Sequence, residues 1–203
     1  VARSLLADHG GIAQARATLD TKDEVLPAFW APFKENGMFG LHLPEEFGGQ
    51  GFGLEETAIV VEELGRVVAP GAFLPTVVVS ATIAEAGTDA QKQALLPGFA
   101  EGDSTSGFSL RNGITVSGGK ASGTAHAVTS AELATHLAFV VGNDLVIVPA
   151  SSATITPNKS IDESRRNAKV ELKDAPAEVI VGGGELALRI GRVLAAAEAA
   201  GGA

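Results

Sequence analysis

The chain has 203 residues, of which 45% are apolar and 19% charged, enough to bury a core of one or two domains and too apolar for a disordered segment. Its 15 basic and 24 acidic side chains leave a formal charge of −9, which argues against nonspecific nucleic-acid binding, because phosphate contacts need clustered lysine and arginine. There is no cysteine, which excludes disulfides, thiol nucleophiles and cysteine-held metals, and no apolar run approaches the roughly 18 residues a membrane-spanning helix needs. The opening VARSLLADHGG has no signal-peptide core, so a soluble cytoplasmic protein is expected; lacking an initiator Met, the chain is expected to lack its true start.

In chain order, Asp23 to Asn36 is the first candidate helix, with Pro27 and Pro32 near its start or bending it. The stretch Gly37–Gly51, GMFGLHLPEEFGGQG, follows as a glycine-rich connector whose apolar Met38, Phe39, Leu41 and Leu43 need cover. Leu54 to Val68 is the clearest helix, with Leu54, Ala58, Val61, Leu64, Gly65 and Val68 on one face. Glu55 and Glu56 in its first turn suit the positive end of the helix dipole. A third helix is expected over Val77 to Ala86. A fourth opens at Thr88, where TDAQ has the form of a capping box, and is bent or closed by Pro97. These segments imply a helical bundle ending near Gly102.

From Asp103 the pattern changes to short β-prone runs: Thr105–Leu110, Ile114–Val116, Leu137–Val141, Leu145–Pro149, Ala153–Thr156 and Lys169–Leu172. Gly118-Gly119 and Gly142-Asn143-Asp144 read as turns between them. Gly182-Gly183-Gly184 breaks the chain, and Glu185 to Ala200 has helical propensity. The expected fold class is α+β multidomain: a helical domain over 1–102, a small antiparallel, barrel-like β domain over 103–181, and over 182–203 the first helix of an otherwise missing C-terminal helical domain.

Three stretches carry a resemblance. Ala28 to Gly51 resembles, without a gap, a helix followed by Gly-Leu-x-x-Pro-Glu-Glu-x-Gly-Gly-x-Gly; EETAIVVEELGRV resembles a helix ending Glu-Glu-Leu-Gly-Arg. Gly87 to Leu110 is similar to a Gly-Thr-x-x-Gln-Lys, Leu-Pro and Gly-x-x-x-x-x-Phe sequence leading into a β domain. In this order they resemble the acyl-CoA dehydrogenases. The resemblance implies a flavoprotein that uses FAD to oxidise an acyl-CoA thioester to its trans-2-enoyl form and passes electrons to an electron-transfer flavoprotein. A carboxylate base removes the α-proton while the thioester carbonyl is held by hydrogen bonds.

The chain departs from that pattern where flavin and base belong. The family's Leu-Thr-Glu-Pro-x-x-Gly-Ser-Asp segment is shortened: Leu110 is kept, Arg111 falls at the threonine and Asn112 at the glutamate, and the rest is deleted. Arg111 is a candidate for a flavin carbonyl or an anion, against a surface turn RNG. At the second flavin motif, aromatic-Ile-Thr/Ser, stand Ala127, Val128 and Thr129; Thr129 keeps a hydroxyl for the flavin edge, and Ala127 removes the aromatic wall. The resemblance therefore assigns cofactor binding to Leu110, Arg111, Ala127, Val128 and Thr129, with an ordinary strand threonine as the alternative at the last. Some members carry the base just before an arginine on the first C-terminal helix, where this chain has Gly191 before Arg192, and others carry it much later, beyond Ala203; Glu198 lies further along the helix and is not promoted, so no catalytic residue is assigned within this chain.

His9, His42, His126 and His136 show no metal-like spacing, so no metal is expected, and each is read as a scattered polar or packing residue. Ser164-Arg165-Arg166 corresponds loosely to a family turn and is read as either a phosphate contact or an exposed turn. The lost flavin contacts resemble a degenerate half, as in actinobacterial enzymes that pair it with an intact half on steroid-derived CoA thioesters, a heterotetramer of lipid metabolism. The expected partners are thus acyl-CoA, a partner subunit or fused second half, and the electron-transfer flavoprotein, with no nucleic acid and no membrane. The competing expectations are a non-redox acyl-CoA-binding pseudo-enzyme and an ordinary homotetrameric dehydrogenase.

Overall fold

A computed structural model of the chain describes residues 1–19, 21 and 24–203. Two short helices that the sequence reading left out open it, α1 (Ala2–Asp8) and α2 (Gly11–Leu19). Both have mixed, short patterns: α1 buries only Leu6, and α2 only Ala15 and Thr18. The helix expected over Asp23–Asn36 is confined to α3 (Trp30–Glu35), and Asp23 lies outside the described residues. Phe29, Trp30 and Phe33 then form a ring cluster with Phe39 and Phe73, with centroids 4.4 Å apart for Trp30–Phe39 and 5.2 Å for Phe39–Phe73. Such pairs add attraction beyond area burial.

The connector Gly37–Gly51 folds back on itself. Gln50 N–H donates to Gly40 O and Gly51 N–H to Leu43 O, both at 2.9 Å, so Leu41 and Leu43 are held in the core. Its one regular turn is Glu45–Phe47. Gly49 has no room for a side chain: a Cβ there would lie 2.0 Å from Leu43 O.

Helix α4 (Leu54–Arg66) buries Val61, Leu64 and Gly65 of its expected face together with Thr57 and Val60, whereas Val68 lies beyond its end and is 49% exposed; the Glu56 carboxylate accepts from Gly53 N–H at 2.9 Å. Helix α5 starts earlier than expected, spanning Phe73–Ala86, and is buried on all sides from Pro75 to Ile83. Pro75 is tolerated because the first turn needs no intrahelical N–H donor. Helix α6 (Asp89–Glu101) opens with the expected Thr88–Gln91 capping box and runs through Pro97 to a left-handed Gly102.

The second half is one sheet of β1 (Ser106–Ser109), β2 (Thr115–Ser117), β3 (Lys120–Thr129), β4 (His136–Val141), β5 (Asp144–Pro149), β6 (Ala153–Pro157), β7 (Asn167–Pro176) and β8 (Glu178–Ile180). The order is β6-β7-β3-β1-β4-β5-β8, with β2 beside β3. All pairs are antiparallel except β1 with β4, which the sequence reading did not foresee. The alternation in β4 and β5 explains their unbroken apolar runs. Ala138, Leu145 and Ile147 face the helices, and Leu137, Phe139, Val146 and Val148 face a second core inside the sheet.

The triple glycine, expected as a break before a helix from Glu185, supplies the cap and first residues of that helix: α7 (Gly183–Gly202) starts after a left-handed Gly182, with Gly184 N–H donating to Asn143 O at 2.9 Å. It packs along α4 and α5 and against β5. Among the described residues no helix is long and apolar enough to cross a membrane, and no group of three acidic or histidine side chains is placed to hold a metal.

Candidate functional site

A cavity of about 410 Å³ opens where the helices meet the sheet. Leu74, Pro75 and Val78 of α5 form one wall, and Ala187, Leu188, Gly191, Arg192 and Ala195 of α7 form another. The α7 residues recur at helical spacing, so one face of that helix lines the space. The sheet supplies Phe108 from β1, Leu110 just after it, and Thr129 from the end of β3, opposite Phe108 across the β1–β3 pair. A hydrogen bond from Ser106 N–H to Thr76 Oγ1, 3.0 Å, ties β1 to α5 beneath this junction.

The fourth wall is Arg165, on the turn before β7. Its Nη1 and Nη2 donate to the two carboxylate oxygens of Glu198 on α7 at 2.7 and 2.6 Å, and Nη2 also reaches Ala69 O at 3.4 Å. Burial works against the Arg165 charge, but the Glu198 hydrogen bonds and attraction, with Asp162 and Glu24 adding to them, hold its pKa above the ordinary arginine value. Its neighbour Arg166 donates from Nη2 to Thr18 O and Thr21 O at 2.9 and 2.6 Å. Neither sequence reading of this turn describes it: both guanidinium groups bind the chain's own carbonyls and carboxylate. Glu198 is likewise taken up by a salt bridge.

Of the five residues assigned to cofactor binding, the structure brings Leu110 and Thr129 together on the cavity wall. Leu110 is 50% exposed beside the opening. Arg111 and Ala127 are exposed and stand outside the cavity lining, while Val128 is fully buried in the core inside the sheet. A register shift between Ala125 and Val128 in the β3–β7 pairing lies next to these positions. The Arg111–Gly113 turn is closed by its own polar groups. Asn112 Nδ2 donates to Val140 O at 3.1 Å, Asn112 Oδ1 accepts from Ile114 N–H at 3.0 Å, and Ser109 Oγ donates to Arg111 O at 3.3 Å.

Chemically the lining is apolar with a hydroxyl and two guanidinium groups, and the described lining residues include no carboxylate and no imidazole. Such a wall can hold an apolar group and hydrogen-bond an oxygen acceptor, and it offers no proton acceptor. Sequence reasoning did not foresee Leu74, Val78 and Leu188 as lining, and it gave Arg165 only as a phosphate contact or an exposed turn. Only the helical spacing on α7 and the resemblance at Gly191-Arg192 pointed this way. A larger cavity, about 590 Å³, lies along a different face of α7, with His42, Leu54, Arg189 and Val193 in its wall.

Residues 2–103 match the family described as acyl-CoA dehydrogenase, N-terminal domain. Among curated proteins, the chain is similar to acyl-CoA dehydrogenase FadE12 of Mycobacterium tuberculosis, 40% identical over 94 residues that make up 44% of this chain and 24% of that protein. It is similar to acyl-CoA dehydrogenase FadE34 of the same organism, 29% identical over 169 residues, 81% of this chain and 23% of that protein. The chain thus spans about a quarter of the length of the curated relatives it matches. Among solved structures, a variant of the Tcur3481-Tcur3483 steroid ACAD superposes with a TM-score of 0.86 at 27% identity, covering 97% of this chain and 60% of that one. A glutaryl-coenzyme A dehydrogenase complex superposes with a TM-score of 0.82 at 17% identity, over 98% of this chain and 61% of that one, and so shares the fold.

Proposed function

The chain belongs to the acyl-CoA dehydrogenase family, and from that premise we propose that it is the non-catalytic half of a flavin-dependent acyl-CoA dehydrogenase acting with an intact partner subunit or fused second half. The observation that carries this reading is the cavity wall between α5, the sheet and α7. It joins Leu110 and Thr129 to an apolar pocket and presents no carboxylate among its described residues. An α,β-dehydrogenation needs a base within reach of the α-carbon. At Gly191, where some family members carry that base, there is space for a side chain: a Cβ would meet only the two Val78 methyls, at 3.8 and 4.0 Å.

FAD supplies the hydride acceptor in this family, and the residues present do not fit a whole flavin cradle. One hydroxyl, Thr129, is on the wall. Val128 is buried in the core inside the sheet, Ala127 has no ring to cover a flavin face, the Asn112 amide is taken up by Val140 O and Ile114 N–H, and Arg111 is exposed outside the cavity lining. We therefore assign the flavin chiefly to the partner, with Thr129 and Leu110 as this chain's contribution. Apolar Leu74, Val78, Phe108 and Leu188 form a wall suited to a bulky acyl group, and the likeness to a steroid ACAD supports a steroid side chain as the substrate class. Electrons leave to an electron-transfer flavoprotein, and the location is the cytoplasm.

An absorbance spectrum with an intact mass of the purified complex tests the assignment. The expected result is a colourless, inactive chain when isolated and about half the usual flavin per subunit pair in the complex. One flavin bound by this polypeptide alone would overturn it in favour of an ordinary homotetramer. A partnered complex without any flavin would make the chain an acyl-CoA-binding pseudo-enzyme.

A further inference from the structure

We infer that a second copy of this chain docks in the groove between α2, the end of α4 and the turn before β7. The groove, about 310 Å³, is walled by Ile12 and Leu19 of α2, Val68 just past α4, and Ile161 on the turn. All four are large apolar side chains left in water, from 49% exposed at Val68 to fully exposed at Ile161. Single exposed apolar residues are ordinary, whereas four converging on one concave face mark a docking surface. Ile161 is presented by a fastened turn. Asp162 accepts from Ser164 N–H and Oγ at 2.9 and 2.6 Å, and Arg165 and Arg166 tie the same turn to α7 and α2.

Val68 is an independent sign of the same use. Helix α4 ends in a Schellman motif, with Ala69 N–H donating to Leu64 O at 2.9 Å and Val68 N–H to Gly65 O at 3.0 Å. The left-handed position of that motif, normally glycine, is Val68, with φ 49°. A β-branched residue is strained there, because its Cβ crowds the backbone carbonyl. Glycine would relieve the strain, so an exposed valine kept in this position has a use for its side chain outside the fold.

Charge selects a second copy as the occupant. Arg16 stands on the α2 wall and Glu163 on the turn, and among the described residues neither has an ion-pair or hydrogen-bond partner. A twofold axis over the groove sets Arg16 of each copy against Glu163 of the other, with the apolar side chains between them. One surface is then complementary to itself, as an isologous interface requires. The net charge of −9 opposes self-association in general, so copies need local pairing of this kind to meet. The inference does not depend on the acyl-CoA reading above.

Sedimentation velocity of the purified chain over a concentration series tests this, and reversible growth from one chain mass to two is expected. Ile161→Glu changes a fully exposed side chain and is expected to weaken the dimer at least about tenfold. Arg16→Glu and Glu163→Arg are each expected to weaken it about tenfold, since a reversal acts twice across the axis. An equimolar mixture of these two variants is expected to restore the dimer, because each then meets its opposite charge at both contacts. Val68→Gly is expected to weaken the dimer without lowering the Tm of the Ile161→Glu protein; a lowered Tm there would show that Val68 serves the fold and overturn its part. A chain that stays monomeric, or a dimer that keeps its affinity in Ile161→Glu, overturns the proposal. A mixture no tighter than the separate charge variants overturns the twofold pairing. Protection of α2 and the 161–164 turn from hydrogen exchange only on adding the co-purified partner subunit would give the groove to that partner and overturn the second copy as occupant.

Discussion

His42 sits in the glycine-rich connector, and its Nε2 lies 3.0 Å from Ser80 Oγ on α5. The Ser80 hydroxyl donates to Val77 O at 3.2 Å, which leaves its oxygen to accept from His42 Nε2–H and leaves Nδ1 buried without a partner. Burial lowers the His42 pKa from 6.5 to about 4. The unfolded chain therefore takes up this proton near pH 6.5 and the folded chain only near pH 4. The neutral ring contributes its full stability above pH 6.5, and that contribution is lost as the pH falls toward 4. At about 1.4 kcal/mol per pH unit, the group makes the fold about 2 kcal/mol less stable at pH 5 than at pH 8. Glu24, whose pKa burial raises to about 7, shifts stability the opposite way over this range, so His42 is read from the contrast between proteins: the stability at pH 8 minus that at pH 5, from urea unfolding, is expected to be about 2 kcal/mol smaller in His42→Gln, and equal pH dependence in the two would refute the assignment. The residue was legible in sequence as a polar packing histidine. Its titration was not, because Ser80 lies 38 residues away and the burial is tertiary.

At the scale of elements, α4 and α7 approach through glycines. A Cβ on Gly65 would lie 2.1 Å from Glu198 O, and one on Gly201 would lie 1.9 Å from Glu62 O, both backbone atoms that cannot swing aside. Gly65→Ala is therefore expected to cost about 2 kcal/mol by overpacking, despite the better helix propensity of alanine. Gly191→Ala, with its nearest neighbour at 3.8 Å, is expected to be neutral or to gain up to about 1 kcal/mol. Thermal unfolding of the two variants checks the contrast, and similar losses in both would show that the helix pair has slack. The period of α4 and the capping box of α6 were legible because local pattern and tertiary role agree there. Ten-residue β3 was read only as motif positions, since its small residues Ala121, Gly123, Ala125 and Ala127 lack β-branching, and it is fixed as a strand by pairing with β1, β2 and β7. Helix α7 was legible in propensity, but its first turn was hidden by glycines that dock against the β4–β5 turn.

For the whole molecule, the turn Ser164–Arg166 fastens the sheet to the helices at several points. Arg165 reaches Glu198 on α7 and Ala69 before α5, 33 and 96 residues away, and Arg166 reaches Thr18 at the end of α2, 148 residues away. Such separations leave no local trace, so this part of the candidate site could not be read from the sequence, whereas Thr129 and Leu110 were found through motifs confined to short stretches. The Arg165–Glu198 pair is mostly buried, with side chains 24% and 19% exposed. Removing one member leaves the other charge without its partner, so Glu198→Gln is expected to cost about 3 kcal/mol. Replacing both, Arg165→Met with Glu198→Leu, is expected to restore much of that loss, because two apolar side chains need no compensation. A double-mutant cycle by urea unfolding measures the coupling. Hydrogen exchange on Glu198→Gln is expected to speed up in the second half of α7 and in the 164–166 turn together, since one contact holds both. Faster exchange in α7 alone would mean that the turn is held by Arg166 and that the sheet does not depend on α7 for its attachment.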